Sequence, residues 1–217
     1  MKIFLFSVIY FLSVIFGAEA VNIIGFPRAQ CSGSTVGRCI NIAHNVCCVF
    51  PYGGIIATAA FFSLLHECTV GIWYYETDSR VCGIARETAS GLLSYICITG
   101  GRAVAGGGAA WFDLSLCRTA GSRTAASEEE LAGLLEGPSN CTSQQIATHY
   151  ALSEDGKGAY VLTPTQEQLE ELNTLPVAGT RAEEIEIMKR YNATYYDDVS
   201  LVPDIEDLDG LLVPDDY

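Results

Sequence analysis

Basic side chains are scarce. Twelve Lys and Arg stand against 26 Asp and Glu, a formal net charge of -14. Nucleic-acid binding works by neutralising phosphates with cations, so it is not an expected role. Histidine occurs only at His44, His66 and His149, none beside a serine motif. Gly33-Ser34-Thr35-Val36-Gly37 carries Thr where a nucleophile elbow needs its reactive residue. Glu67, Glu76, Asp78, Glu87 and Asp113 offer carboxylates to a glycosidase, but no spacing selects a pair. The chain therefore reads as non-enzymatic and without a cofactor, a small secreted hydrolase being the alternative. After residue 20 no apolar stretch reaches the roughly 20 residues of a membrane-crossing helix. The best, Gly54 to Leu65, is too short, and stable membrane insertion is not expected.

What is present first is a leader. Lys2, the apolar run Ile3 to Phe16, and Gly17-Ala18-Glu19-Ala20 form the layout of a signal peptide over residues 1–20, with cleavage expected between Ala20 and Val21. Export to the extracellular space brings an oxidising environment, in which thiols pair. Cys31, Cys39, Cys47, Cys48, Cys68, Cys82, Cys97 and Cys117 are disulfide candidates, and the pairing is open. The neighbours Cys47 and Cys48 are expected to take different partners, because a bridge between adjacent residues strains the backbone. Cys141 is left over, and remains free, bridges to a second copy of the chain, or displaces another cysteine from its partner.

Charge divides the chain. Residues 21–117 balance five bases with five acids, whereas residues 118–217 hold six bases and 20 acids. Segments of such different chemistry are not expected to share a core. Residues 21–117 are rich in Gly, Val, Ile, Thr and aromatics broken by turn formers, which predicts a small disulfide-stapled β-sandwich. Its expected strands are Asn22 to Phe26, Val46 to Phe50, Ile55 to Phe62, Gly71 to Tyr75, Leu92 to Ile98 and Ala109 to Leu114; the run Ile55 to Leu65 also fits a buried helix. A faint duplication relates Ile24-Gly25-Phe26 and Ala59-Ala60-Phe61-Phe62 to Gly71-Ile72-Trp73 and Ala109-Ala110-Trp111-Phe112. Two such β units packed face to face would make the sandwich.

Residues 118–190 read as an acidic region of short helices, opening at Ser127, Thr163-Pro164 and Thr180. Residues 191–217 hold eight acids and no base, which predicts a disordered tail. Lys189-Arg190 matches a dibasic processing site whose cleavage would release that tail as a peptide, or else a basic pair completing a helix C-terminus. Asn140-Cys141-Thr142 and Asn192-Ala193-Thr194 are N-glycosylation acceptors. Asp204 to Gly210 fails as a calcium loop, because Ile205 would occupy the first ligand position. Cys39, His44 and Cys47 have zinc-compatible spacing, yet export favours disulfides and no metal is expected.

The pattern Cys31-x7-Cys39-x7-Cys47-Cys48, with Arg38-Cys39-Ile40-Asn41-Ile42 inside it and Trp111-Phe112 near its end, resembles small cysteine-rich secreted proteins of filamentous fungi. Members of that group are effector-like or killer-toxin-like, and some of the latter resemble βγ-crystallins. The likeness covers Gly25 to Cys117 and implies binding outside the cell, to a host or competitor protein or to a cell-wall glycan. Hydrophobins match less well, since they need two Cys-Cys pairs and this chain has one.

Overall fold

The computed structural model describes residues 21–26, 31, 35–50, 59–63, 69–77, 80–90, 95–99, 107–113, 133, 139, 141–175 and 180–203. Within them the chain is mainly β. The strands are β1 (Val21–Phe26), β2 (Thr35–Ile42), β3 (Val46–Val49), β4 (Ala59–Ser63), β5 (Thr69–Thr77), β6 (Arg80–Ser90), β7 (Tyr95–Thr99), β8 (Gly108–Asp113), β9 (Ser143–Ile146), β10 (Thr148–Leu152), β11 (Ala159–Leu162) and β12 (Thr194–Tyr196). Helices α1 (Gln166–Thr174) and α2 (Arg181–Arg190) lie between β11 and β12. One sheet runs β12-β11-β10-β2-β1-β4-β7 and the other β6-β5-β8-β3-β9.

The sheets pack into a sandwich. Ile23, Cys39, Ile42 and Ile98 of the first meet Cys48, Trp73, Ala109 and Trp111 of the second, together with Phe50, which follows β3. Burying each large apolar side chain contributes about 1.5 to 3 kcal/mol. The Trp111 indole N–H donates to the Ile42 carbonyl at 2.7 Å, which satisfies a polar atom that burial would otherwise leave costly. The duplication is visible as geometry: β1 and β4 form one antiparallel pair, β5 and β8 another, and each lies in a different sheet. Phe26 faces Ala59 in the first pair as Trp73 faces Ala109 in the second.

The expectation of separate cores is overturned. Strand β10 pairs with β2, β9 pairs in parallel with β3, and Ala147 between them enters the central core. Residues 143–152 thus step from one sheet to the other. Net charge misleads here because it counts residues without regard to face. In the helices Glu167, Glu170, Glu171, Glu183 and Glu186 are exposed, while Leu169, Leu172, Ile185 and Met188 are buried. Each acid can stay in water while its neighbours join the core. The tail also starts later than expected, since β12 and a 3-10 turn (Val199–Leu201) follow Tyr191. Residues 204–217, with the sequence resembling a calcium loop, lie outside the described residues, as does the start of the helix expected at Ser127.

Both helices begin with reciprocal caps. Thr165 with Gln168, and Thr180 with Glu183, each exchange side-chain and backbone hydrogen bonds, so the cap of α1 lies two residues after Thr163 and that of α2 lies where expected. Leu172 of α1 and Ile185, Ile187 and Met188 of α2 pack on Ala151 and Leu162, covering the end of the seven-stranded sheet that the second sheet does not reach. Arg181 ties α2 to the β10–β11 turn by donating to the carbonyls of Leu152, at 2.8 Å, and Ser153. That turn contains Asp155-Gly156, with Gly156 at φ +70°, a left-handed conformation suited to glycine.

Candidate functional site

Two features stand out on this scaffold: an exposed tyrosine surface and a cluster of three sulfurs. The tyrosine surface forms where β11 meets β12. Tyr160 and Tyr195 are cross-strand partners, with ring centroids 4.8 Å apart. Tyr195 is 49% exposed. Tyr160 lies against its ring, and Gly158 leaves room beneath its hydroxyl. A Cβ on Gly158 would fall 2.6 Å from that hydroxyl oxygen and 2.4 Å from the Tyr196 carbonyl oxygen. Lys189 at the end of α2 places its Nζ 5.4 Å from the Tyr160 ring centroid and 2.9 Å from Glu186. The hydrogen bond to Glu186 holds the ammonium above the ordinary lysine value. A half-exposed tyrosine packed on a second one beside a lysine suits contact with a partner, since a tyrosine offers a large amphipathic surface with few rotatable bonds to order on binding.

The three sulfurs are those of Cys47, Cys82 and Cys141, all within 4.8 Å of one another. Cys47 and Cys82 are joined as a disulfide, whereas Cys141 is free and half-buried. Cys47 projects from the outer face of β3 into an apolar cluster with Val49, Tyr74 and Ala85, against which Cys141 packs. Gly108 makes the fit possible, because a Cβ there would lie 2.7 Å from the Cys82 sulfur and 2.9 Å from that of Cys47. Burial pushes the Cys141 thiol above its ordinary pKa, and a hydrogen bond from Ser139 opposes the shift only in part.

The remaining cysteines sort themselves. Cys39–Cys48 links β2 to β3 across the sandwich, and Cys31–Cys97 links the segment before β2 to the edge strand β7. Adjacent Cys47 and Cys48 take different partners, as their geometry requires. Cys68 and Cys117 lie outside the described residues. The zinc arrangement is ruled out in this state, since Cys39 and Cys47 are both engaged in disulfides, while His44 is exposed with its ring 5.8 Å from that of Trp111. Thr35, Val36 and Gly37 lie in strand β2 and not in an elbow. Glu76, Glu87 and Asp113 fall on β5, β6 and β8, and Glu67 and Asp78 lie outside the described residues.

Lys189 and Arg190 form the last turn of α2, the position where cations complement the helix dipole. Asn192 follows in a left-handed conformation at φ 63°, and Ala193 N–H closes the helix on the Met188 carbonyl at 3.0 Å. Its side chain is exposed, as a glycan acceptor requires; Asn140 lies outside the described residues. Ile187 and Met188, just before the basic pair, are buried. A protease reading this pair must first unwind the turn. A dibasic-specific protease should therefore cut the Met188→Asp variant at least about tenfold faster than the native protein, the factor that about 1.4 kcal/mol of local opening supplies. Intact-mass time courses measure this, and equal rates would contradict it.

Tyr160 and Tyr195 were not marked by sequence, being 35 positions apart and joined only by the β11–β12 register. No family model, curated protein or solved structure matches the chain.

Proposed function

We propose that this is a secreted, non-enzymatic glycoprotein that acts outside the cell by binding an extracellular protein or a cell-wall glycan, in the manner of effector-like or toxin-like proteins. The observation that carries the reading is the set of disulfides Cys31–Cys97, Cys39–Cys48 and Cys47–Cys82, which persist in oxidising compartments and not in a reducing cytosol. The leader layout of residues 1–20 supplies the route. The contact surface is the Tyr160–Tyr195 pair with Lys189.

Binding of the purified secreted protein to immobilised chitin, to β-glucan and to intact host or competitor cells tests this, with Tyr195→Ala beside the native chain. The native protein is expected to bind one of these targets and release no sugar. Tyr195→Ala should bind at least about fivefold more weakly, the factor that about 1 kcal/mol supplies when a contact tyrosine is truncated. Its melting temperature should be nearly unchanged, since the side chain is half exposed. Equal binding by both proteins would discard the surface, and sugar release would favour a hydrolase.

A further inference from the structure

The half-buried thiol of Cys141 does not merely fill space in the apolar cluster. Its segment is anchored to the neighbours of both disulfide partners. Ser139 N–H donates to the Gly83 carbonyl at 3.1 Å, one residue from Cys82, and Thr142 N–H donates to the Asn45 carbonyl at 2.8 Å, two residues from Cys47. Strand β9 then continues in parallel with β3, placing Gln144 beside Cys47. The same two strands, β3 and β6, are therefore spanned twice, once by the Cys47–Cys82 bond and once by the backbone that carries Cys141.

We propose that Cys47, Cys82 and Cys141 form an internal thiol–disulfide exchange site, so that the folded chain can hold more than one disulfide isomer. In the exchange the Cys141 thiolate attacks either Cys82 or Cys47. A new S–S bond forms as the Cys47–Cys82 bond breaks, and the displaced sulfur leaves with the electron pair. It then takes up one proton in place of the one Cys141 gave up. One thiol and one disulfide stand on each side, so no oxidant or reductant is consumed. Either product still ties Cys141 to β3 or β6, and the sandwich need not come apart for it to form. Burial keeps the attacking thiol mostly protonated, and the neighbouring Tyr74 hydroxyl is likewise held neutral by burial, so the site exchanges slowly at rest.

The test is disulfide mapping of the intact secreted protein after incubation in mildly alkaline buffer, acid quenching and alkylation. A mixture of isotopically heavy and light chains separates bonds within a chain from bonds between chains. Peptides joining Cys141 to Cys47 or Cys82 are expected, each matched by an equal amount of alkylated Cys82 or Cys47, with no heavy–light hybrids. All of these peptides should be lost in Cys141→Ser, which retains Cys47–Cys82. Cys82→Ser and Cys47→Ser trap the isomers, and each should form the remaining bond to Cys141. The proposal is overturned if Cys141 alone is alkylated at every time in the native chain, or if its disulfides are found only as heavy–light hybrids, which would mark it as an interchain link.

Discussion

Acidification from near neutral to about pH 4 should cost the folded protein about 3 kcal/mol through His149 alone, and His149→Leu should escape that loss. His149 is 2% exposed, on the inner face of β10 opposite Gly37. The packing there is tight: a Cβ on Gly37 would lie 2.8 Å from the imidazole Cε1 and 2.9 Å from Phe50. Neither ring nitrogen has a hydrogen-bond partner among the described residues. Burial alone lowers the pKa from 6.5 to about 4. Between those values the unfolded chain binds a proton that the folded chain refuses. Stability contributed by the neutral ring is therefore complete above about pH 6.5, declines as pH falls toward about 4, and changes no further below that. Urea unfolding of both proteins at the two pH values measures it, because carboxylate effects common to both cancel in the difference. The gap in favour of the leucine variant should widen by about 2 to 3 kcal/mol on acidification. Parallel behaviour would show that the ring finds a partner or water when charged.

His149 also marks what could be read from sequence and what could not. Strands β1, β3, β5 and β8 were legible because they are short apolar runs between turn formers. Strand β2 was not: Arg38 lies inside it and is 1% exposed, and a bulge with Asn41 at φ 51° breaks its alternation. The hairpin of β10 and β11 carries an Asp155-Gly156 turn signal between apolar runs, but the acidic balance of residues 118–190 points to short helices instead. The opening expected at Thr163-Pro164 lies two residues from the cap at Thr165, and the one expected at Thr180 is the cap itself, because caps are local chemistry. The sulfur cluster and the tyrosine surface were hidden for the opposite reason. Cys141 stands out as odd in number, yet its nearness to Cys47–Cys82 depends on where β6 and the residues leading into β9 come to lie. No local pattern encodes that.

Full reduction should unfold the sandwich. Cys39–Cys48 closes a separation of nine residues, Cys47–Cys82 one of 35 and Cys31–Cys97 one of 66. On the chain-entropy account the two longer loops each contribute about 4 kcal/mol and the shortest somewhat under about 3. An ordinary domain has only roughly 5 to 15 kcal/mol of stability in all. The position of the bonds adds to this. Cys39 and Cys48 are fully buried between the sheets, and their reduction leaves two thiols where one bond fixed the spacing of β2 and β3. Cys47–Cys82 fastens β6 to β3, strands that are not neighbours in their sheet. Loss of these links removes the covalent tie between the sheets and the one that holds β6 to β3.

The most direct test of the cross-link account is thermal unfolding of the mature secreted protein, followed by near-ultraviolet circular dichroism with and without strong reductant. The account predicts a cooperative transition in the oxidised protein, and in the reduced protein the loss of tertiary signal from Trp73 and Trp111 before heating begins. An unchanged spectrum and an unchanged midpoint after complete reduction would contradict it.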